Sequence, residues 1–178
     1  IGLCLVGSEM CIRDRDEAQE AVDLYRNRLS AIPRFWRKIN SHLRASSNMK
    51  EDYSVPLPSG RSLSYGRIEK IFQKNDSYHQ AVISRNGKRL PMKLWGGIVA
   101  ENLSQGLARD VFSDMIVRLE QEGLKLIFHV HDEVIIECNE KDAESVLEKT
   151  IEVMSTPPTW IPDIPLAAEG QIIQRYQK

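Results

Sequence analysis

Net charge is almost absent from this 178-residue chain and cysteine is scarce, and each shortage closes off a class of protein. A formal net charge of -1 gives no whole-protein argument for nucleic acid, so any such surface would have to come from local segregation of charge. Of the three cysteines, Cys4 and Cys11 lack two further ligands at metal-site spacing, and Cys138 stands alone, which reads as a cytoplasmic chain. The opening stretch IGLCLVGSEMCIRDR has no initiating methionine, no basic n-region and no long apolar core, unlike a secretory signal, and is too short to span a bilayer. What is there, 42% hydrophobic and 28% charged residues, suits a folded protein with an ordinary core rather than a disordered chain.

Charge is nonetheless segregated. Arg26, Arg28, Arg34, Arg37, Lys38, Arg44 and Lys50 follow one another with no Asp or Glu among them, whereas residues 137–152 are mostly acidic. A basic run of this kind is most simply a solvated helix face. Ala18, Ala21, Val22, Tyr25 and Leu29 predict a first helix over 16–29, and Pro33, Phe35, Trp36, Ile39 and Leu43 a second, with both aromatic residues in the core. Residues 53–89 read as strands, with a Pro58-Ser59-Gly60 turn before a strand from Arg61 and an Asn86-Gly87 hairpin. Ile98, Leu103, Leu107, Val111, Met115 and Leu119, with Ala108 and Phe112 beside them, predict a long helix over 95–123 that carries Gln105, Arg109 and Asp110 near its middle. A helix over 141–155 and a closing strand over 165–171 complete the expectation.

The informative stretch is residues 126–138, LIFHVHDEVIIEC. Two apolar, β-branched runs flank His131, Asp132 and Glu133, so the acidic pair falls at a bend between strands. Sheet formation does not ask for Asp and Glu there, since both are depleted in strands and costly to bury unpaired. A hard cation would ask for them, because carboxylate oxygens are its preferred ligands. A hairpin whose turn is polar only because turns are polar remains the plain alternative.

HVHDEVIIE resembles motif C of the family A DNA polymerases, the bacterial polymerase I and phage type, in which a His-Asp-Glu turn between palm strands carries a catalytic aspartate. Upstream, LWGGIVAENLSQGLARDVFSDMIVRLEQEGLKL resembles the long palm helix of that family; downstream, STPPTWIPDIPLAAEGQIIQRYQK resembles its C-terminal tail as phage enzymes have it. DLYRNRLSAIPRFWRKI is similar to the region after the fingers helix, and LPSGRSLSYGRI to a β-rich connection with a Gly-Arg pair. The first twelve-odd residues instead resemble the translated read-through of a sequencing adapter, and 1–15 is set aside as a non-native scar.

The resemblance implies an α+β fold, a right-hand polymerase palm with an antiparallel sheet backed by long helices: 16–52 as the helical end of the fingers and 53–178 as palm. It implies template-directed DNA synthesis, a two-metal transfer of nucleotide from a deoxynucleoside triphosphate to a primer 3′-hydroxyl with two magnesium ions about 4 Å apart. Asp132 would be catalytic and a metal ligand, with Glu133 beside it; Gln105, Asn102, His131 and Arg61 would contact primer-template DNA. Glu101 stands where polymerase I enzymes have a DNA-contacting asparagine, with Asn102 adjacent. The family's motif A aspartate and its motif B Lys and Tyr precede the start of this sequence, so the chain alone is expected to be inactive, and the enzyme monomeric with no membrane partner.

Two other classes stand beside this one. His129 and His131, at i and i+2 of a strand, would share a face, and with Asp132 would begin a zinc or iron hydrolase site. That site needs a further ligand, and only His42 and His79 remain among the histidines. A DNA-binding module without chemistry is the third class.

Overall fold

The computed structural model describes residues 15–74, 76–85 and 87–176, so the scar assigned to 1–15, with Cys4 and Cys11, lies almost wholly outside the described residues, as does Asn86 of the expected turn. The order is α1 (Arg15–Arg28), α2 (Ala31–Met49), β1 (Asp52–Pro56), β2 (Ser62–Arg67), β3 (Glu69–Gln73), β4 (Asp76–Arg85), β5 (Lys88–Leu94), α3 (Gly96–Gln121), β6 (Leu126–Val130), β7 (Glu133–Ile136) and, after a single 3-10 turn, α4 (Ala143–Ser155). The architecture is mixed α+β with antiparallel sheets. Where one sheet was expected, the described strands form three separate ones, β1-β2, β3-β4-β5 and β6-β7, each made of sequence neighbours. Hairpin pairing closes short loops first, and nothing in this stretch supplies a strand from farther away.

By compactness the chain divides into two units, one formed by the chain up to Tyr53 with Tyr65–Ala100, the other by Ser54–Ser64 with the chain from Glu101 on. In the first, Ile39 and Leu43 of α2 are buried with Tyr53, Tyr65, Ile68, Ala81, Leu94 and Val99. Helix α2 starts two residues before Pro33, which its first turn tolerates because the N–H that proline lacks has no partner there. Trp36 packs edge to face on Trp95 with ring centroids 5.7 Å apart, while Phe35, expected in the core, is 46% exposed. The start of α3 is held by α2: the Gly96 N–H donates to Asn40 Oδ1 at 2.7 Å, replacing the cap that a helix N-terminus needs. This approach is so close that a Cβ on Gly96 would overlap the Trp36 backbone carbonyl.

In the second unit, Val111, Phe112 and Met115 of α3 form a buried cluster, packed against Val134 of β7, Met154 of α4 and Trp160, Ile161, Ile164 and Leu166 beyond it. The stripe of α3 is as the periodicity predicts, with Val111, Met115 and Leu119 buried, except that Ala108 is exposed and Asp110 is buried in its place. The closing strand expected over 165–171 is absent: that segment is irregular, anchored by the Ala168 N–H to Ser155 Oγ at 3.2 Å, with Gly170 passing close over Leu147 of α4. It packs through side chains on α4 rather than adding to a sheet. Among the described residues no helix is long and apolar enough to cross a membrane.

Candidate active site

The register of β6 and β7 pairs Val130 with Glu133, so His131 and Asp132 alone make the connection. Two-residue hairpins twist correctly only when a central residue takes a positive φ, and here His131 does so, at 56°. That position ordinarily goes to Gly, Asn or Asp, and a histidine there costs of order 1 kcal/mol of backbone strain. The strand begins at Glu133 itself, one residue earlier than its apolar run. Asp132 is thereby presented at the tip of a rigid hairpin, and Asp132 and Glu133 are both exposed.

The expectation that His129 and His131 share a strand face does not hold, because β6 ends at Val130 and His131 leaves the strand with left-handed backbone. His129 instead meets the Phe112 ring of α3 edge to face, centroids 5.5 Å apart. Among the described residues no group of three or more His, Cys, Asp or Glu side chains is arranged to hold a metal ion. As hard oxygen donors with free access, Asp132 and Glu133 suit part of a magnesium shell, whose remaining ligands lie outside this pair.

The tail returns to the hairpin. Tyr176 packs edge to face on Phe128 of β6, centroids 5.4 Å apart, and its hydroxyl lies 3.4 Å from Glu133 Oε2, a long hydrogen bond. An open groove of about 530 Å³ runs between β7, α4 and this tail, lined by Asp132, Glu133, Cys138, Leu147, Gly170 and Tyr176 among others.

On α3, Glu101, Gln105 and Arg109 recur every fourth residue and are all exposed, with Asn102 half-buried one step round the helix. Gln105 is turned toward its own helix, its Nε2 donating to Glu101 Oε1 at 3.2 Å. Arg61, after the Pro58-Ser59-Gly60 turn, donates through Nε to Asp110 Oδ1 at 2.6 Å, and Ser59 Oγ donates to the other oxygen of the same carboxylate. Asp110 is the residue whose part the sequence did not disclose. Its place on the apolar stripe was the available signal, since a carboxylate there must find donors from another element.

The chain is similar to a DNA polymerase of Bacillus phage SP02, 32% identical over 128 residues that make up 70% of this chain and 19% of that protein. The chain therefore spans about a fifth of the length of the curated relative it matches. No family model matches the chain, and no solved structure does. The likeness is distant and partial, and is consistent with a DNA-polymerase-like superfamily.

Proposed function

We propose that the chain is the C-terminal palm portion of a family A, template-directed DNA polymerase that extends a primer 3′-hydroxyl with deoxynucleotides. The observation that carries this reading is the two-residue hairpin that sets Asp132 at its tip through a left-handed His131, in a chain similar to a phage DNA polymerase. A sheet turn chosen for stability alone would put glycine or asparagine at 131.

In this reading Asp132, with Glu133 beside it, would hold magnesium, which when bound supplies charge stabilisation at the transferring phosphate. The hairpin keeps the Asp132 carboxylate in one position without loop reorganisation, as a preorganised site requires. His131 lies next to the primer end, and Gln105 and Asn102 face the minor groove, where the amide of Gln105 can both donate and accept and so meets acceptors common to all base pairs. Arg61 contacts a backbone phosphate. No counterpart of the motif A aspartate or of the motif B Lys and Tyr stands among these 178 residues, so primer extension is expected only when those segments are supplied.

The test is primer extension with magnesium and all four deoxynucleotides, on the chain alone and on a version completed with a related enzyme's upstream palm and fingers, each with and without Asp132→Ala. Extension by the completed enzyme that Asp132→Ala reduces about 1000-fold or more is the expected result, the scale of losing a group that stabilises transition-state charge. A well-folded completed enzyme that extends equally with Ala at 132 sinks the assignment of this hairpin.

A further inference from the structure

Asp110 is a carboxylate buried on α3 next to the apolar Val111 and Phe112, 8% exposed, and both of its oxygens are taken by the Pro58-Ser59-Gly60 turn and the residue after it. Burying a charge this far is unfavourable unless it is paired and hydrogen-bonded, and here it is both. The pairing is asymmetric. Arg61 meets Asp110 through Nε alone, its side chain is 57% exposed, and no hydrogen bond among the described residues engages Nη1 or Nη2. A carboxylate that served only to neutralise the arginine would be expected to take the two-point fork that guanidinium and carboxylate favour. Held by Nε, the guanidinium keeps its end-on edge, the fork of two N–H donors between Nη1 and Nη2, clear of the carboxylate. Ser59 fixes the carboxylate from the other side, and its Oγ also receives the Arg61 backbone N–H at 3.4 Å, so the turn and the side chain it carries are locked to the same group. The result is an arginine whose torsional freedom is restricted in the free protein, with its end-on donor fork left for a planar or tetrahedral oxyanion.

We propose that Asp110 and Ser59 are positioning residues that present the outer edge of Arg61 to a phosphate of bound DNA. This rests on the polymerase reading for its ligand, and deepens it by naming what makes Arg61 competent. Asp110 touches no DNA; it acts through Arg61.

The test is fluorescence anisotropy of the 178-residue chain with a labelled hairpin primer-template, at several salt concentrations, for the unaltered chain and for Asp110→Asn, Arg61→Gln, their double variant and Ser59→Ala, with folding checked by circular dichroism. The sign for Asp110→Asn decides. Removing a negative charge beside DNA ordinarily tightens binding. A positioning role predicts the reverse, about 5-fold weaker binding, because the guanidinium is released. Arg61→Gln should weaken binding about 10-fold and lower the slope of log K against log salt by about 1, the loss of one phosphate contact. The double variant should match Arg61→Gln alone. Ser59→Ala, which leaves both charges in place, should weaken binding about threefold and serves if a charged variant does not fold. Tighter binding by Asp110→Asn, or Arg61→Gln with an unchanged salt slope, or full binding by folded Ser59→Ala when the others unfold, overturns the positioning role while leaving the polymerase reading intact. Absence of any DNA binding by the unaltered chain overturns both.

Discussion

Phe112 on α3 and His129 on β6 meet edge to face, ring centroids 5.5 Å and planes 71° apart. The contact gives His129 a packing role, and it separates two readings of the His-x-His spacing. If the imidazole serves as a ring, His129→Phe keeps the contact and should leave the melting temperature and primer extension of the completed enzyme unchanged. Were His129 a ligand in a zinc or iron hydrolase site, the same variant would lose metal and activity as fully as His131→Ala. Metal content and extension, measured side by side, tell them apart.

His131 is the converse case, a residue the fold tolerates rather than requires. Glycine at 131 would relieve the positive φ, so His131→Gly should leave stability unchanged or raise it by up to about 1 kcal/mol. In the polymerase reading the imidazole lies by the primer end, and the same variant should bind primer-template several-fold more weakly. A variant that is less stable and binds as before would mean that the histidine serves the turn.

The elements of this chain were legible because each is built from local pattern. Alternation and the Asn86-Gly87 pair located β4 and β5, and a stripe of apolar residues located α3. What could not be read were relations carried by side chains from different elements. The burial of Asp110 depends on Arg61 and Ser59, 49 and 51 residues away. Phe35, one turn before the buried Ile39 on the same face of α2, is exposed all the same. The irregular tail carries a strand-like pattern because Leu166 packs against the α3 cluster, and periodicity registers burial without saying against what. At the hairpin, the short apolar runs gave its place, but the two-residue register and the left-handed His131 needed coordinates.

Glu101 bears on how Gln105 is used. The amide nitrogen of Gln105 is held by the carboxylate one turn earlier at 3.2 Å, and that carboxylate also repels phosphate. A glutamine that reads the minor groove with both amide N–H donors must first leave this partner. Glu101→Gln should therefore tighten DNA binding about threefold, the scale of one exposed charge interaction. With Ala at 105 much of that gain should vanish. Equal gains in both backgrounds would reduce Glu101 to a general electrostatic effect, which anisotropy on the two pairs would reveal.

Two glycines of α3 should respond to alanine with opposite signs. At 106 the added methyl would meet Leu57 Cδ1 and Leu63 Cδ2 at 3.4 Å, ordinary contact with flexible side-chain ends, so helix propensity decides and Gly106→Ala should stabilise by about 0.5–1 kcal/mol. At 96 the methyl would run into the Trp36 backbone carbonyl and force apart the cap in which the Gly96 N–H donates to Asn40 Oδ1. Gly96→Ala should cost about 3 kcal/mol or more. Chemical denaturation of the two variants checks both; a stable Gly96→Ala would show that the junction of α2 and α3 yields.

His79 links stability to pH. On β4 it is flanked by Lys70 of β3, its partner in the register, and by Arg44 of α2, and among the described residues its buried Nε2 has no hydrogen-bond partner. Burial, then Lys70, then Arg44 hold its pKa below the ordinary 6.5, since each disfavours a second positive charge at this position. Because the unfolded chain titrates at the higher value, it binds more protons than the folded one between the two pKa values, and stability falls as pH is lowered through that interval. The stability attributable to His79 is therefore whole above about pH 6.5 and lost progressively below it as the folded-state pKa is passed. His79→Phe removes both the titration and the unsatisfied nitrogen while keeping an aromatic ring in the site. Its melting temperature should fall less than that of the unaltered chain between pH 7 and pH 5. Parallel curves across that range would mean that the His79 imidazole is not the group being titrated.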